Sequence, residues 1–204
     1  MPAKTSIVIK DGTYNIVERA FQLTGDCLFS ITIPNSVAII NDDAFSGCSG
    51  LASLTIPNSV KHIGNDAFHL CTGLTSIVIQ EGNPVYDSRS NCNAIIETAS
   101  NTLLYGCRKT IIPDGVTTIG AYAFSLCNKT SIKIPNSVKI IEGFAFSRCE
   151  NLSSISFGNS VTDIGLYAFG GCPSLTSVTF PNSLTTIGYS AFSCCSFFSS
   201  STLL

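Results

Sequence analysis

The chain repeats itself about every 23 residues, and that period constrains its fold more than any other feature. Ile33-Pro34-Asn35-Ser36-Val37 returns as Ile56-Pro57-Asn58-Ser59-Val60 and as Ile134-Pro135-Asn136-Ser137-Val138. Weaker copies are Ile112-Pro113-Asp114-Gly115-Val116, Phe157-Gly158-Asn159-Ser160-Val161 and Phe180-Pro181-Asn182-Ser183-Leu184. With the proline position as the mark, repeats start at Lys10, Pro34, Pro57, Gln80, Pro113, Pro135, Gly158 and Pro181. An Ala-Phe pair follows seven of these marks at one fixed offset, from Ala20-Phe21 to Ala191-Phe192, and an isoleucine precedes each pair, from Ile16 to Ile187. A fixed period in this range is the signature of a solenoid, whose coils bury their apolar faces against each other.

Each coil has a physical reading. In Ser53-Leu54-Thr55-Ile56 the apolar residues alternate with hydroxyls, the pattern of a half-buried strand. Pro57-Asn58-Ser59 breaks it, because proline lacks the ladder donor and Asn and Ser favour turns. Asn65-Asp66-Ala67-Phe68-His69-Leu70-Cys71 predicts a single helical turn with Asn or Asp at its start. The unit over about 80–112 is ten residues longer than the others and has no Ala-Phe pair. Two apolar runs, Asn93-Ala94-Ile95-Ile96-Glu97 and Thr102-Leu103-Leu104-Tyr105-Gly106, flank the polar stretch 98–101 and predict a β-hairpin. One domain over 1–204 is expected, with about eight coils and a truncated last repeat over about 193–204.

Composition excludes some functions. Charged residues make up 12% of the chain and the net charge is −2, so no basic stripe exists to neutralise phosphates and nucleic acid is not an expected partner. The hydrophobic share is 45%, yet no apolar run reaches the length of a membrane span, so no membrane insertion is expected. Met1-Pro2-Ala3-Lys4-Thr5-Ser6 lacks the apolar stretch of a signal peptide.

The columns resemble the BspA-like group of leucine-rich-repeat proteins, the 23-residue class called Treponema-type. The similarity is strongest over Leu51–Cys71 and Leu175–Cys195 and runs from about residue 7 to 198. Asn83-Pro84-Val85-Tyr86 and Asn91-Cys92-Asn93-Ala94-Ile95-Ile96 resemble the family's hairpin insert. The resemblance implies a leucine-rich-repeat right-handed superhelix of short parallel strands and single helical turns. It also implies a cell-surface or secreted adhesion protein without catalytic residues or cofactor, whose partner is a protein, for instance from the host matrix or cell surface.

Ten cysteines invite disulfides or zinc. Six of them, Cys48, Cys71, Cys127, Cys149, Cys172 and Cys195, follow the Phe at one fixed offset and form a packing column of free thiols, too widely spaced for disulfides. Zinc would need converging Cys-x₂₋₄-Cys pairs, which are absent. Cys27, Cys92, Cys107 and Cys194 lie off the column, and Cys92 and Cys107 flank the hairpin closely enough to raise the question of a bridge. His62 and His69 occupy variable positions and read as surface residues; a nucleophile built from His69 and Cys71 would place its thiol in the buried column. Asp42 and Asp43 sit where carboxylates favour a helix start. No phosphate-binding glycine loop or nucleophile elbow is present.

Two surfaces remain. The outward strand positions Ser53, Thr55, Ser76, Ser131, Lys133, Ser154, Ser156, Ser177 and Thr179 form a low-charge ribbon read as free of exposed aromatics, which ranks a glycan below a protein ligand. Beside the later Ala-Phe pairs stand Tyr122, Phe144, Tyr167 and Tyr189, an aromatic stripe that is either an interface anchor or cover for the coil edge. The alternative to adhesion is a structural spacer that displays other domains of a longer protein. The chain end breaks off inside a coil, which predicts self-association through an uncapped face.

Overall fold

The computed structural model describes residues 4–22 and 24–196. The chain forms two compact units, Met1–Ala99 with Tyr105–Thr110, and Ser100–Leu104 with Ile111–Leu204. The end of the chain, 197–204, on which the expected self-association rests, lies outside the described residues.

In the first unit, longer strands β1 (Thr5–Val8), β3 (Leu28–Thr32), β5 (Ser53–Ile56) and β7 (Ser76–Ile79) alternate with two-residue strands β2 (Asn15–Ile16), β4 (Ile39–Ile40) and β6 (His62–Ile63). β1 pairs parallel with β3, β5 with β7, and β2, β4 and β6 form a parallel row. Residues one repeat apart stand opposite each other, as in Leu54 with Ile77 and Ile40 with Ile63. The second unit repeats the scheme with β11 (Thr118–Ile119), β12 (Ser131–Lys133), β13 (Ile140–Ile141), β14 (Ser154–Ser156), β15 (Asp163–Ile164) and β16 (Thr186–Ile187). There β12 pairs with β14, while β11, β13, β15 and β16 run parallel in one row. Each unit is thus a β-solenoid, as the period requires. Inward Leu, Ile and Val from both strand rows fill the core, with Leu54, Ile56, Ile141 and Leu175 shielded from solvent.

The arm after each short strand departs from the expected helical turn. The residue before every Ala-Phe pair takes a left-handed backbone: φ is 59° at Arg19, 54° at Asp43, 51° at Asp66, 57° at Tyr122, 59° at Phe144, 48° at Tyr167 and 52° at Ser190. A second left-handed position follows four residues later, at Gly47, Leu70, Leu126, Arg148, Gly171 and Cys194. Two such residues per arm preclude a right-handed helix, so Asp43 caps no helix and the arm closes as consecutive turns. Its amides bond along the stack instead: Phe146 N–H donates to Ala168 C=O at 2.7 Å, and Phe169 to Ala191 at 2.7 Å. The coil spacing lets the phenylalanines stack face to face, with centroids 5.0 Å apart for both Phe124–Phe146 and Phe146–Phe169.

All ten cysteines are free, so Cys92 and Cys107 form no bridge. The column does more than pack. Five of its six thiols donate to the phenylalanine carbonyl of the preceding coil, over 3.3 Å from Cys48 to Phe21, 3.1 Å from Cys71 to Phe45 and from Cys149 to Phe124, and 3.2 Å from Cys172 to Phe146 and from Cys195 to Phe169. Contact with Cys149, together with burial and against the contact with Cys195, pushes the Cys172 thiol up to about 12. Contact with Cys48 and burial raise Cys71 too, while the same contact lowers Cys48 to about 7, so Cys71 and Cys172 stay protonated donors. Cys172→Ala removes one donor to a buried carbonyl and some core volume; a loss of about 1–2 kcal/mol is expected in urea unfolding.

In the insert, β9 (Ala94–Glu97) and β10 (Thr102–Gly106) occupy the two apolar runs, and an additional strand, β8 (Tyr86–Asp87), pairs antiparallel with β9. Two tyrosine hydroxyls serve backbone groups of the coil beside it. Tyr86 accepts from Ile63 N–H at 3.0 Å; Tyr105 accepts from Ala67 N–H at 3.1 Å and donates to Gly64 C=O at 3.2 Å. Tyr105 also meets Phe68 edge-on, ending the phenylalanine stack of the first unit. Arg89 clamps Asp87 through Nε at 2.8 Å and Nη2 at 2.6 Å. Burial alone would raise the Asp87 carboxyl, but the Arg89 and Thr98 hydrogen bonds outweigh it and hold the carboxyl below its usual range. A depressed carboxyl stabilises the fold above its unfolded value of 3.8 and loses that contribution as pH falls through the lower folded value. The Arg89 amide donates to Asp87 Oδ1 at 3.0 Å, and its hydrogen-exchange protection is therefore expected to hold down to about pH 4 and to fall below it. In Asp87→Asn the protection should start lower and lose this pH step; an unchanged step would assign it to another group.

Candidate functional site

The ribbon residues lie where the alternation puts them. Ser53, Thr55, Ser131, Lys133, Ser154, Ser156, Ser177 and Thr179 are exposed and Ser76 is half-buried, while Leu54, Ile77 and Ile132 between them point inward. Ser177 and Thr179 belong to no strand. One residue before the ribbon column, at the start of β3, Phe29 is 40% exposed, with the Lys4 ammonium 4.5 Å from its ring centre. His62 is exposed, His69 is half-buried, and Cys71 is buried and donates its thiol to the Phe45 carbonyl.

The stripe is organised by the left-handed column. Tyr122, Phe144 and Tyr167 occupy the same position in successive coils, with ring centroids 4.9 Å and 5.3 Å apart and planes within 12° of parallel. Tyr189 sits one residue earlier in its coil, turns 75° to Tyr167 and is 76% exposed. A left-handed backbone is unfavourable for aromatic residues and easiest for Gly, Asn and Asp. In the first unit the same column holds Arg19, Asp43 and Asp66, with Arg19 Nε 3.6 Å from Asp43 Oδ2. The coil therefore closes equally well on charged residues. Stacking three rings offsets the backbone strain but does not explain why rings are there.

Beside the stripe in the second unit lies an open groove of about 570 Å³. Tyr122, Phe144 and Leu166 form one side, and Ile140, Asp163 and Thr186 the other. Between them the lining includes Gly143, Gly165 and Gly188, and stacking explains these glycines. A Cβ on Gly165 would stand 2.5 Å from Gly143 N, and one on Gly188 would stand 2.5 Å from Leu166 N. Close coil packing thus leaves no room for a Cβ at Gly165 and Gly188, while Glu142 at the same place in its coil keeps its side chain in the groove. Ile140 and Leu166 stay 41% and 47% exposed. Two carboxylates line the groove, and no basic side chain does. Glu142 Oε2 accepts from Ala121 N–H at 2.8 Å and Asp163 Oδ2 from the Thr162 hydroxyl at 2.6 Å. Sequence reasoning found the rings but missed the trough, although glycine or another small residue between the isoleucine and the aromatic column was its visible trace. Among the described residues no group of His, Cys, Asp and Glu converges to hold a metal, and no helix is long and apolar enough to cross a membrane.

The family model for the BspA type leucine-rich repeat region, in six copies, matches residues 3–102 and 98–203. A leucine-rich cell surface protein from Faecalibacterium prausnitzii is 30% identical with a TM-score of 0.78, over 93% of this chain and 51% of that one. The pneumococcal vaccine antigen PcpA has the same fold, with a TM-score of 0.75 at 22% identity over 92% of this chain and 55% of its own. A leucine-rich repeat protein of T. pallidum is 25% identical, with a TM-score of 0.53 over 95% of this chain and 78% of that one. The chain spans about half the length of the first two. No protein with a curated description matches.

Proposed function

Because the chain belongs to the BspA-type leucine-rich-repeat family, we propose that it is a non-catalytic binding module of a surface or secreted protein. Its ligand is a protein of a host or a neighbouring cell, and the recognition surface is the aromatic groove of the second unit. The observation that carries this reading is the contrast within one column. The arm position that holds Arg19, Asp43 and Asp66 in the first unit holds Tyr122, Phe144 and Tyr167 in the second, beside exposed Ile140 and Leu166. Partly exposed aromatic rings that the fold does not require, next to a concave trough, have the composition of an interface centre. The similarity to a leucine-rich cell surface protein supports the location.

The test is binding of the purified chain to an array of host matrix proteins, mucins and glycans, beside two variants. One carries Tyr122→Asn, Phe144→Asn and Tyr167→Asn; the other carries Ser131→Asp and Ser154→Asp on the ribbon. Saturable binding to a protein that falls at least tenfold in the first variant and persists in the second is expected. Binding lost only in the ribbon variant would move recognition to the strand face, and silence across the array would favour the spacer.

A further inference from the structure

Resting on that reading, we propose that the groove accepts an extended segment of the partner protein that presents an arginine between apolar residues. The charge of the lining points this way. Glu142 and Asp163 are its only carboxylates, no basic side chain lines it, and each spends one oxygen on a neighbour: Glu142 on the Ala121 N–H of the preceding coil and Asp163 on the adjacent Thr162 hydroxyl. A carboxylate has two oxygens and several acceptor sites, so both residues keep capacity for an incoming donor. Tyr122 and Phe144 line the groove beside them. A guanidinium is planar, weakly hydrated and able to give paired hydrogen bonds to carboxylates. An ammonium satisfies only the charge.

The rest of the groove fixes the neighbours of that arginine. Exposed Ile140 on one side and Leu166 on the other offer aliphatic contact. Gly143, Gly165 and Gly188 add no side chain to the groove, which runs across successive coils. A single bound cation without flanking apolar residues would leave both aliphatic walls wet, and an acidic segment would meet two like charges.

The probe is a set of fluorescein-labelled twelve-residue peptides that share a Val-X-Leu centre in a Gly-Ser frame, with X as Arg, Lys, Gln or Glu, titrated by fluorescence polarisation against the whole chain. The Arg peptide should bind at least tenfold tighter than the Gln peptide, Lys should fall between them, and Glu should show no binding. Glu142→Gln with Asp163→Asn keeps an acceptor for Ala121 and for Thr162, so the fold stays intact; it should bring the Arg peptide down to the level of Gln. Equal affinity for Arg, Gln and Glu, or no binding by any peptide, overturns the inference. If the array still shows protein binding lost in the triple asparagine variant, the recognition reading stands while the arginine falls. If the array is silent, the reading itself falls.

Discussion

Phe146→Ala should lower the stability of the second unit by about 3–5 kcal/mol, read as a shift of the urea midpoint. Phe146 is fully buried and stacks on both sides, 5.0 Å from Phe124 and 5.0 Å from Phe169. Truncation therefore removes transfer free energy, leaves a cavity and breaks two aromatic contacts at once. The cavity has little means of collapsing, because the backbones above and below are fixed by the Phe124-to-Ala145 and Phe146-to-Ala168 hydrogen bonds, each 2.7 Å. In a solenoid stability is close to a sum of neighbour terms, so the damage should concentrate in adjacent coils. Hydrogen exchange should show lost protection around Ala123–Phe169 and little change in the first unit. Uniform loss across the chain would show that the stack folds as a single cooperative block.

Gly165→Ala is the second large effect, and its origin is different. The added Cβ would stand 2.5 Å from Gly143 N and 2.7 Å from the Glu142 carbonyl carbon, both backbone atoms with no rotamer to escape into. The coils must separate locally, which strains the Gly165-to-Ile141 hydrogen bond of 2.7 Å. Overpacking of this kind costs about 1–3 kcal/mol and can exceed that range where the obstacle is backbone. Gly82→Ala provides the contrast: its Cβ meets nothing within 4 Å, but the residue must hold φ at 82°. That change should be milder, on the order of 1 kcal/mol, and should come from backbone strain alone. Thermal melts that rank Gly82→Ala as the more damaging would show that close packing at Gly165 is not what holds the coils in register.

Much of this fold was legible because the period fixes the register. Leu54 opposite Ile77 and Ile40 opposite Ile63 follow from laying the repeats on one another. The arms were not legible, for a specific reason. Asn65, Asp66 and the apolar residues after them satisfy a helix start as well as they satisfy a turn, and the choice is made by the coil-to-coil bonds of Phe and Ala amides, which no local pattern announces. Gly47 and Gly171, together with Asp43 and Asp66, were the available hints, since these residue types tolerate a left-handed backbone. The thiol column was legible as packing but not as hydrogen bonding, because the acceptor belongs to the previous coil. Tyr86 and Tyr105 reach across sequence separations of 23 and 38 residues, a contact that the odd length of the insert conceals. At the candidate site the sequence showed the rings of Tyr122, Phe144 and Tyr167, while the trough, its carboxylates and the exposed Ile140 and Leu166 needed the stack in three dimensions.

The claim that rests most directly on this contrast is that the rings of the stripe serve recognition and not the fold. Equilibrium urea unfolding of the Tyr122→Asn, Phe144→Asn, Tyr167→Asn variant tests it. Removing two stacked contacts costs about 1–3 kcal/mol, while asparagine relieves part of the strain of a left-handed backbone at each site. The variant should unfold cooperatively and lose less stability than the single Phe146→Ala. A variant that loses its cooperative transition, or falls further than Phe146→Ala, would make the stripe structural cover and contradict the account.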